Sequence, residues 1–257
     1  MHIRPDVELA NASDVGLARD SNEDFFLYCE PADDEEFFRR GRLILVTDGM
    51  GGHQGGAEAS RLAAEAVRSV FFKSESMEPR EVLIEGFQLA QASILAEAAG
   101  DPLSCGMGTT CSAAIVRAGK LYLGHIGDSR VYLLRQGDAR QLTEDHSLVQ
   151  QMVREGLLTE EQARSHEKRN VLTQALGIPS DRLAGDFPAA PLDLEVDDIV
   201  LLCTDGLHGL VQGVEMASTA AGQSLTEACR ELVALAIVRG GPDNITLQML
   251  AIRQVTS

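Results

Sequence analysis

"TTCSAAIVRAGKLYLGHIGDSRVYLLRQGDARQLT", Thr109 to Thr143, decides the fold class. It is a series of short runs rich in β-branched and aromatic residues, with no helical period. Ala118-Gly119, Gly127-Asp128 and Gln136-Gly137-Asp138 punctuate it, and each reads as an antiparallel connection. Toward the N-terminus, strands are expected near Phe25–Cys29 and Leu43–Thr47, separated by the acidic loop "EPADDEE". Ala57–Phe72 carries Leu62, Ala66 and Val70 beside Ala63, Val67 and Phe71, which makes a helix with one wide apolar face. A second helix is expected from Pro79 to Ala99, with Pro79 suited to its first turn. Toward the C-terminus, His146–Leu176 turns helical and polar, and Thr159 with Gln162 makes a capping-box signature. A strand at Ile199–Cys203, a helix from Thr226 to Arg239 behind Ser224 and Glu227, and a strand at Ile245–Ile252 complete the pattern. Strands come in antiparallel clusters and helices in separate groups. That predicts an α+β fold in which helices cover two sheet layers. Without an internal repeat or a long linker, residues 1–257 read as a single domain.

Composition narrows the function classes. The chain is 44% hydrophobic and 24% charged, as in ordinary soluble globular domains. A net charge of -17 repels nucleic acid and anionic membranes, and no basic stripe offsets it. The apolar runs fall far short of the ~20 residues that span a bilayer. "MHIRPDVELA" lacks the apolar core and cleavage site of a signal peptide, so a cytoplasmic location is expected. Five scattered cysteines without a C-x-x-C favour reduced thiols over disulfides or zinc.

The acidic residues are not placed at random. "VTDGMGG" puts Asp48 at a strand end, and "CTDGLHG" does the same with Asp205. "SNEDFF" puts Glu23 and Asp24 at a strand entry, "GGPDNITLQML" puts Asp243 before the last strand, and "HIGDSRVY" puts Asp128 between two strands. Rigid strands can aim such carboxylates at one place with the accuracy a metal cluster needs. Hard divalent ions such as Mg²⁺ and Mn²⁺ take oxygen ligands. Gly49 lacks a Cβ, so its carbonyl can approach an ion closely. The histidines show no H-E-x-x-H or paired spacing for zinc. Each Asp-Gly taken alone also reads as an ordinary turn. Asp128 could be a hairpin residue paired with Arg130, and His53 a plain loop histidine.

"GLARDSNEDFF", "VTDGMGGHQGG", "GTTCSAA", "GHIGDSRVYLLR", "LTEDHS", "CTDGLHGL" and "GGPDNITL" occur in the order seen in metal-dependent protein phosphatases of type 2C, in their bacterial form. The resemblance spans Gly16 to Leu247. It implies a β-sandwich flanked by helices on both faces, four layers in the order α-β-β-α, with a helical flap at about 146–176. It implies hydrolysis of phosphoserine and phosphothreonine by a hydroxide bridging two Mn²⁺ or Mg²⁺ ions, in a monomer that opposes a bacterial serine/threonine kinase. By that resemblance Asp48 bridges the ions, the Gly49 carbonyl contacts the first, and Asp205 and Asp243 hold the second. Glu23 acts through water, with Asp24 behind it. Arg19 grips the substrate phosphate, Asp128 helps hold a third ion, and Thr109, Thr110 and Asn244 support the site. Asn170 falls where some relatives place a serine contact. Eukaryotic members carry a histidine two residues after the bridging Asp, where this chain has Met50. The proton donor is therefore open between His53, an ion's water and none. Two other functions stay open on the residues alone: a different two-metal phosphoester hydrolase, and a phosphatase-shaped regulatory binding module.

Overall fold

The computed structural model describes residues 3–51, 55–100, 106–179 and 185–255. Its elements in chain order are β1 (Val7–Asp14), β2 (Asp24–Cys29), α1 (Asp34–Arg40), β3 (Arg42–Met50), α2 (Gly55–Lys73) and α3 (Pro79–Gly100). There follow β4 (Gly108–Thr109), β5 (Cys111–Arg117), β6 (Lys120–Ile126), β7 (Arg130–Arg135), β8 (Asp138–Gln141), α4 (Leu148–Arg154) and α5 (Glu160–Arg164). The chain ends with β9 (Leu192–Asp193), β10 (Ile199–Cys203), α6 (Asp205–His208), α7 (Gly213–Ala220), α8 (Leu225–Val238) and β11 (Ile245–Ile252).

Alternation along the strands builds the layers. In β3, Leu43 and Leu45 face the helix side and pack with Ala63, Val67 and Phe71 of α2 and with Leu83 and Phe87 of α3. Ile44 and Val46 face the other way, against Val131, Leu133, Val200, Leu202 and Leu250 of the second sheet. On that sheet's far face, Leu201, Cys203, Leu247 and Met249 pack on Met216 of α7 and on Cys229, Leu232 and Ala236 of α8. One antiparallel sheet runs β1-β11-β10-β7-β8 and the other β2-β3-β5-β6-β9, with β4 attached to β3. This is the α+β fold of two covered sheets that the sequence pattern predicts, in the four-layer α-β-β-α order that the resemblance implies.

Three expectations need correction. Ala118-Gly119 and Gln136-Gly137 do close hairpins, β5 with β6 and β7 with β8. Gly127-Asp128 does not, because β6 and β7 belong to different sheets. The chain crosses between layers there, and Asp128 is carried into the gap. The acidic loop "EPADDEE" ends in helix α1, whose N-cap Asp33 accepts from the Glu36 N–H. Carboxylates in its first turn and Arg39 and Arg40 in its last suit the helix dipole. Of the helical stretch at 146–176, only α4 and the capping-boxed α5 are helix. A bridge between Ser147 and Leu172 ties the two ends of this segment together.

Candidate active site

At one end of the sandwich the face between the sheets changes from apolar to acidic without losing register. Asp48 follows Ile44 and Val46 on the inner side of β3, while Thr47 turns outward and donates to the Ser60 carbonyl of α2 at 3.2 Å. Asp24 lies directly across from Asp48 in the β2–β3 ladder. Next door, β10 ends and Thr204 donates to Asp24 Oδ2 at 2.8 Å. Asp205 opens α6 one residue later. Asp243 precedes β11, and the crossover adds Asp128.

Like charges dominate this cluster. Burial pushes the Asp48 carboxyl well above the usual range, and Asp24, Asp205, Asp128 and Asp243 push it further. Burial raises Asp205 to about 6, with Asp243 adding to it. Asp24 rises to about 7, chiefly through burial, although the Thr246 and Thr204 hydroxyls nearby oppose the rise. Asp128 is raised by burial and then by Asp205 and Asp145. Glu23 is raised by burial and by Asp243. A divalent cation is the direct remedy for such repulsion.

The backbone around Asp48 is braced. Its N–H donates to Thr110 Oγ1 at 3.0 Å, and its carbonyl accepts from the Thr110 N–H and the Thr109 hydroxyl, both at 2.9 Å. Gly49 cannot be anything else, since a Cβ there would lie 2.0 Å from the Gly56 carbonyl oxygen. Asn244 ties three segments: its Oδ1 accepts from the Glu23 N–H at 2.8 Å, and its Nδ2 donates to the Val15 and Ser21 carbonyls at 2.9 Å. Arg19 sits exposed at the rim, and its Nη2 donates to Asp243 Oδ2 at 2.7 Å.

A family model described as protein phosphatase 2C matches residues 22–234. The serine/threonine phosphatase stp of Listeria welshimeri is 33% identical over 243 residues, which is 93% of each chain. The serine/threonine protein phosphatase PstP of Mycobacterium tuberculosis is 34% identical over 93% of this chain and 43% of its own length. The chain belongs to the protein phosphatase 2C family. Among solved structures, Stp1 of Staphylococcus aureus superposes with a TM-score of 0.88 at 28% identity, over 99% of this chain and 98% of that one. The PstP catalytic domain in complex with two manganese ions gives 0.82 at 30% identity, over 96% and 99%.

The donor set of this protein phosphatase 2C chain fits hard cations. Asp24 Oδ1 and Asp205 Oδ1 are enclosed and have no hydrogen-bond partner among the described residues. No three described His, Cys, Asp or Glu side chains close on one point as a ready-made cage. Ions of the Mg²⁺ type keep several waters and use one or two carboxylates each, so a sparse set suits them.

The structure brings Arg19, Glu23, Asp24, Asp48, Gly49, Asp128, Asp205, Asp243 and Asn244 to one end of the sandwich. His53 lies outside the described residues. Asn170 lies in an exposed turn and makes no side-chain hydrogen bond to a described residue. The alternative pairing of Asp128 with Arg130 does not form: Arg130 makes two bonds to Asp145, at 2.8 and 2.7 Å. Sequence reasoning gave no role to Asp145, Thr204, Thr246 or His208. His208 Nε2 donates to the Asp128 carbonyl at 2.9 Å. Asp145 stands in "LTEDHS" and Thr204 and His208 in "CTDGLHGL", so the signal was present without a stated task for these residues.

Proposed function

We propose that this chain is a phosphoprotein phosphatase that hydrolyses phosphoserine and phosphothreonine with Mn²⁺ or Mg²⁺ as cofactor. The observation that carries the reading is the meeting of a mutually repelling carboxylate cluster with a guanidinium at its open rim. In this reading Asp48, the Gly49 carbonyl, Asp205 and Asp243 would hold the two core ions, Glu23 would act through water, and Asp128 would help hold a third. When bound, such ions supply water acidified enough to act as a nucleophile at neutral pH.

The chain's own residues do the rest. Arg19 turns from Asp243 to the substrate phosphate, whose paired oxygens match its planar fork. Asn244, Thr109 and Thr110 keep the carboxylates on station, since small misplacements cost large factors in rate. The strand-end carboxylates arrive on rigid elements, so little reorganisation accompanies the reaction. Met50 offers no proton to the leaving alkoxide.

The substrates are then phosphoproteins made by a serine/threonine kinase, which this enzyme opposes as a cytoplasmic monomer. No described helix is long and apolar enough to cross a membrane, which is compatible with that setting. The test is phosphate release from a phosphothreonine peptide with Mn²⁺, repeated with EDTA. Release that depends on Mn²⁺ and stops with EDTA is the expected result. Binding of the peptide without turnover would instead make the chain a regulatory module.

A further inference from the structure

Two buried histidines lie behind the crossover that carries Asp128, outside the carboxylate cluster. His125, next to last in β6, is 1% exposed, and His146 begins the 146–176 segment and is 8% exposed. Their rings stack, with centroids 4.9 Å apart and planes inclined by 36°. His146 and Gly127 exchange two hydrogen bonds. The His146 N–H donates to the Gly127 carbonyl at 2.7 Å, and the Gly127 N–H donates to His146 Nδ1 at 3.1 Å. A backbone N–H can only donate, so Nδ1 is the bare nitrogen and Nε2 carries the proton. Nε2 faces Asp186 Oδ2 at 3.3 Å.

His125 is fixed by the same logic. Its Nε2 faces the Glu144 carbonyl at 3.0 Å, which can only accept. Burial, with His146 adding to it, lowers its pKa to about 4, so the ring is neutral and Nδ1 is bare. The Ser112 hydroxyl stands 2.9 Å from that Nδ1 and 2.9 Å from the Ser129 carbonyl, and its one proton serves either. Ser129 Oγ meets Thr110 Oγ1 at 2.7 Å, and Thr110 Oγ1 accepts from the Asp48 N–H. Gly127, at φ +103°, presses on Thr110 so closely that a Cβ would come within 2.5 Å of the Thr110 side chain. The residues flanking Asp128 are thus held from both sides: Gly127 by His146, and Ser129 by Ser112 and Thr110.

We infer that His146, backed by His125, is a positioning residue that fixes the Gly127–Ser129 crossover and so sets the distance of Asp128 from Asp48. The same residue roots the 146–176 segment, because the Thr173 N–H donates to its carbonyl at 2.8 Å. The segment and the crossover are thereby joined at residue 146, by its backbone and by its ring. The inference rests on the reading of Asp128 as an ion ligand.

The experiment compares His146→Asn, His146→Leu, Asp128→Asn and the double variant H146L/D128N. Asn keeps an acceptor near the place of Nδ1, and Leu does not. Two quantities are read: calorimetric Mn²⁺ binding without substrate, and kcat on a phosphothreonine peptide. Partners of this kind cost roughly 10–100-fold in metal affinity or activity when removed. His146→Leu is expected to lose that much in the weakest Mn²⁺ site and in kcat. His146→Asn should stay within about threefold of wild type, since it keeps the bond that the same rule makes important. H146L/D128N should be no worse than Asp128→Asn alone. Additive losses in the double variant, or an Asn variant as impaired as the Leu variant, would overturn the positioning role. If Asp128→Asn itself leaves Mn²⁺ binding and kcat unchanged, the ligand reading of Asp128 fails, and the inference falls with it.

Discussion

Strand β3 carries an acidic cluster at each end, and the two are built on opposite rules. At its start, Arg42 is 1% exposed and binds both oxygens of Asp6, at 2.9 and 2.8 Å. Its Nε lies 3.3 Å from Glu30 Oε2, which also accepts from the Tyr28 hydroxyl at 2.6 Å. Each carboxylate there has a cation from the chain itself. At the other end, six residues and roughly 20 Å away by strand rise, Asp48 meets Asp24, Asp205, Asp128 and Asp243. Among the described residues only Arg19, at the rim, forms an ion pair with any of them, and its partner is Asp243. The first cluster is complete and holds the N-terminus to the sandwich. The second is complete only with cations from outside, which makes it the functional end.

Substitutions should separate the two ends. Asp48→Asn is expected to lower Mn²⁺-dependent turnover by about 10⁴-fold, some 5 kcal/mol of barrier, while chelator-treated protein melts no lower than wild type. Retention of turnover would remove Asp48 from the ligand set. Arg42→Met should do the reverse. It strands Asp6 without its cation, leaves Glu30 only Arg4 at 3.9 Å, and should cost about 3–5 kcal/mol of stability, read by denaturant titration, with turnover per folded molecule unchanged. A stable Arg42→Met protein would show that the two clusters do not differ as described.

Arg19→Ala should raise KM for phosphopeptide by roughly 1.5–3 kcal/mol, the worth of a hydrogen bond to a charged group. Mn²⁺ affinity should not fall, because the guanidinium competes for Asp243 and contributes no ligand. An unchanged KM with lost metal binding would make Arg19 structural. The smallest effect concerns pH. Asp24 near 7 and Asp205 near 6 in the folded protein exceed the usual carboxylate value of about 4 in the unfolded chain. The folded state therefore binds protons more tightly between these values. Its added stability is present in full below about pH 4 and is lost as pH rises through 6 and 7. Chelator-treated protein should melt on the order of 5 °C lower at pH 7.5 than at pH 5, and Mn²⁺ should abolish the difference. A Tm that rises over this range without metal would contradict the raised values.

The pattern of successes and misses in the sequence reading has a physical cause. β10 at Ile199–Cys203 and β11 at Ile245–Ile252 were legible to the residue, because both faces of each strand are buried and their runs are apolar, broken only by Thr246 and Gln248 in β11. Strand β1, "VELANASD", escaped because it is an edge strand with weak β-formers, and it exists by pairing along the whole of β11. Helix α7 escaped because only three of its eight residues are buried. The Gly127-Asp128 step looked like a hairpin because local turn chemistry does not say whether the next strand stays in the same sheet. The carboxylates were legible through their placement beside strands. Of their brace, Thr110 was named through the resemblance; Ser112, Ser129, His125 and His146 were not, since they come together from β5, β6, the crossover and the segment before α4 and look ordinary in sequence.

Mn²⁺ stoichiometry at pH 7, measured by calorimetry on the chelator-stripped protein, tests the central claim most directly. Two tightly bound ions per chain are expected, lost in the Asp48→Asn/Asp205→Asn double variant and retained in Arg42→Met. Tight binding that survives loss of Asp48 and Asp205, or no saturable binding at all, would contradict it.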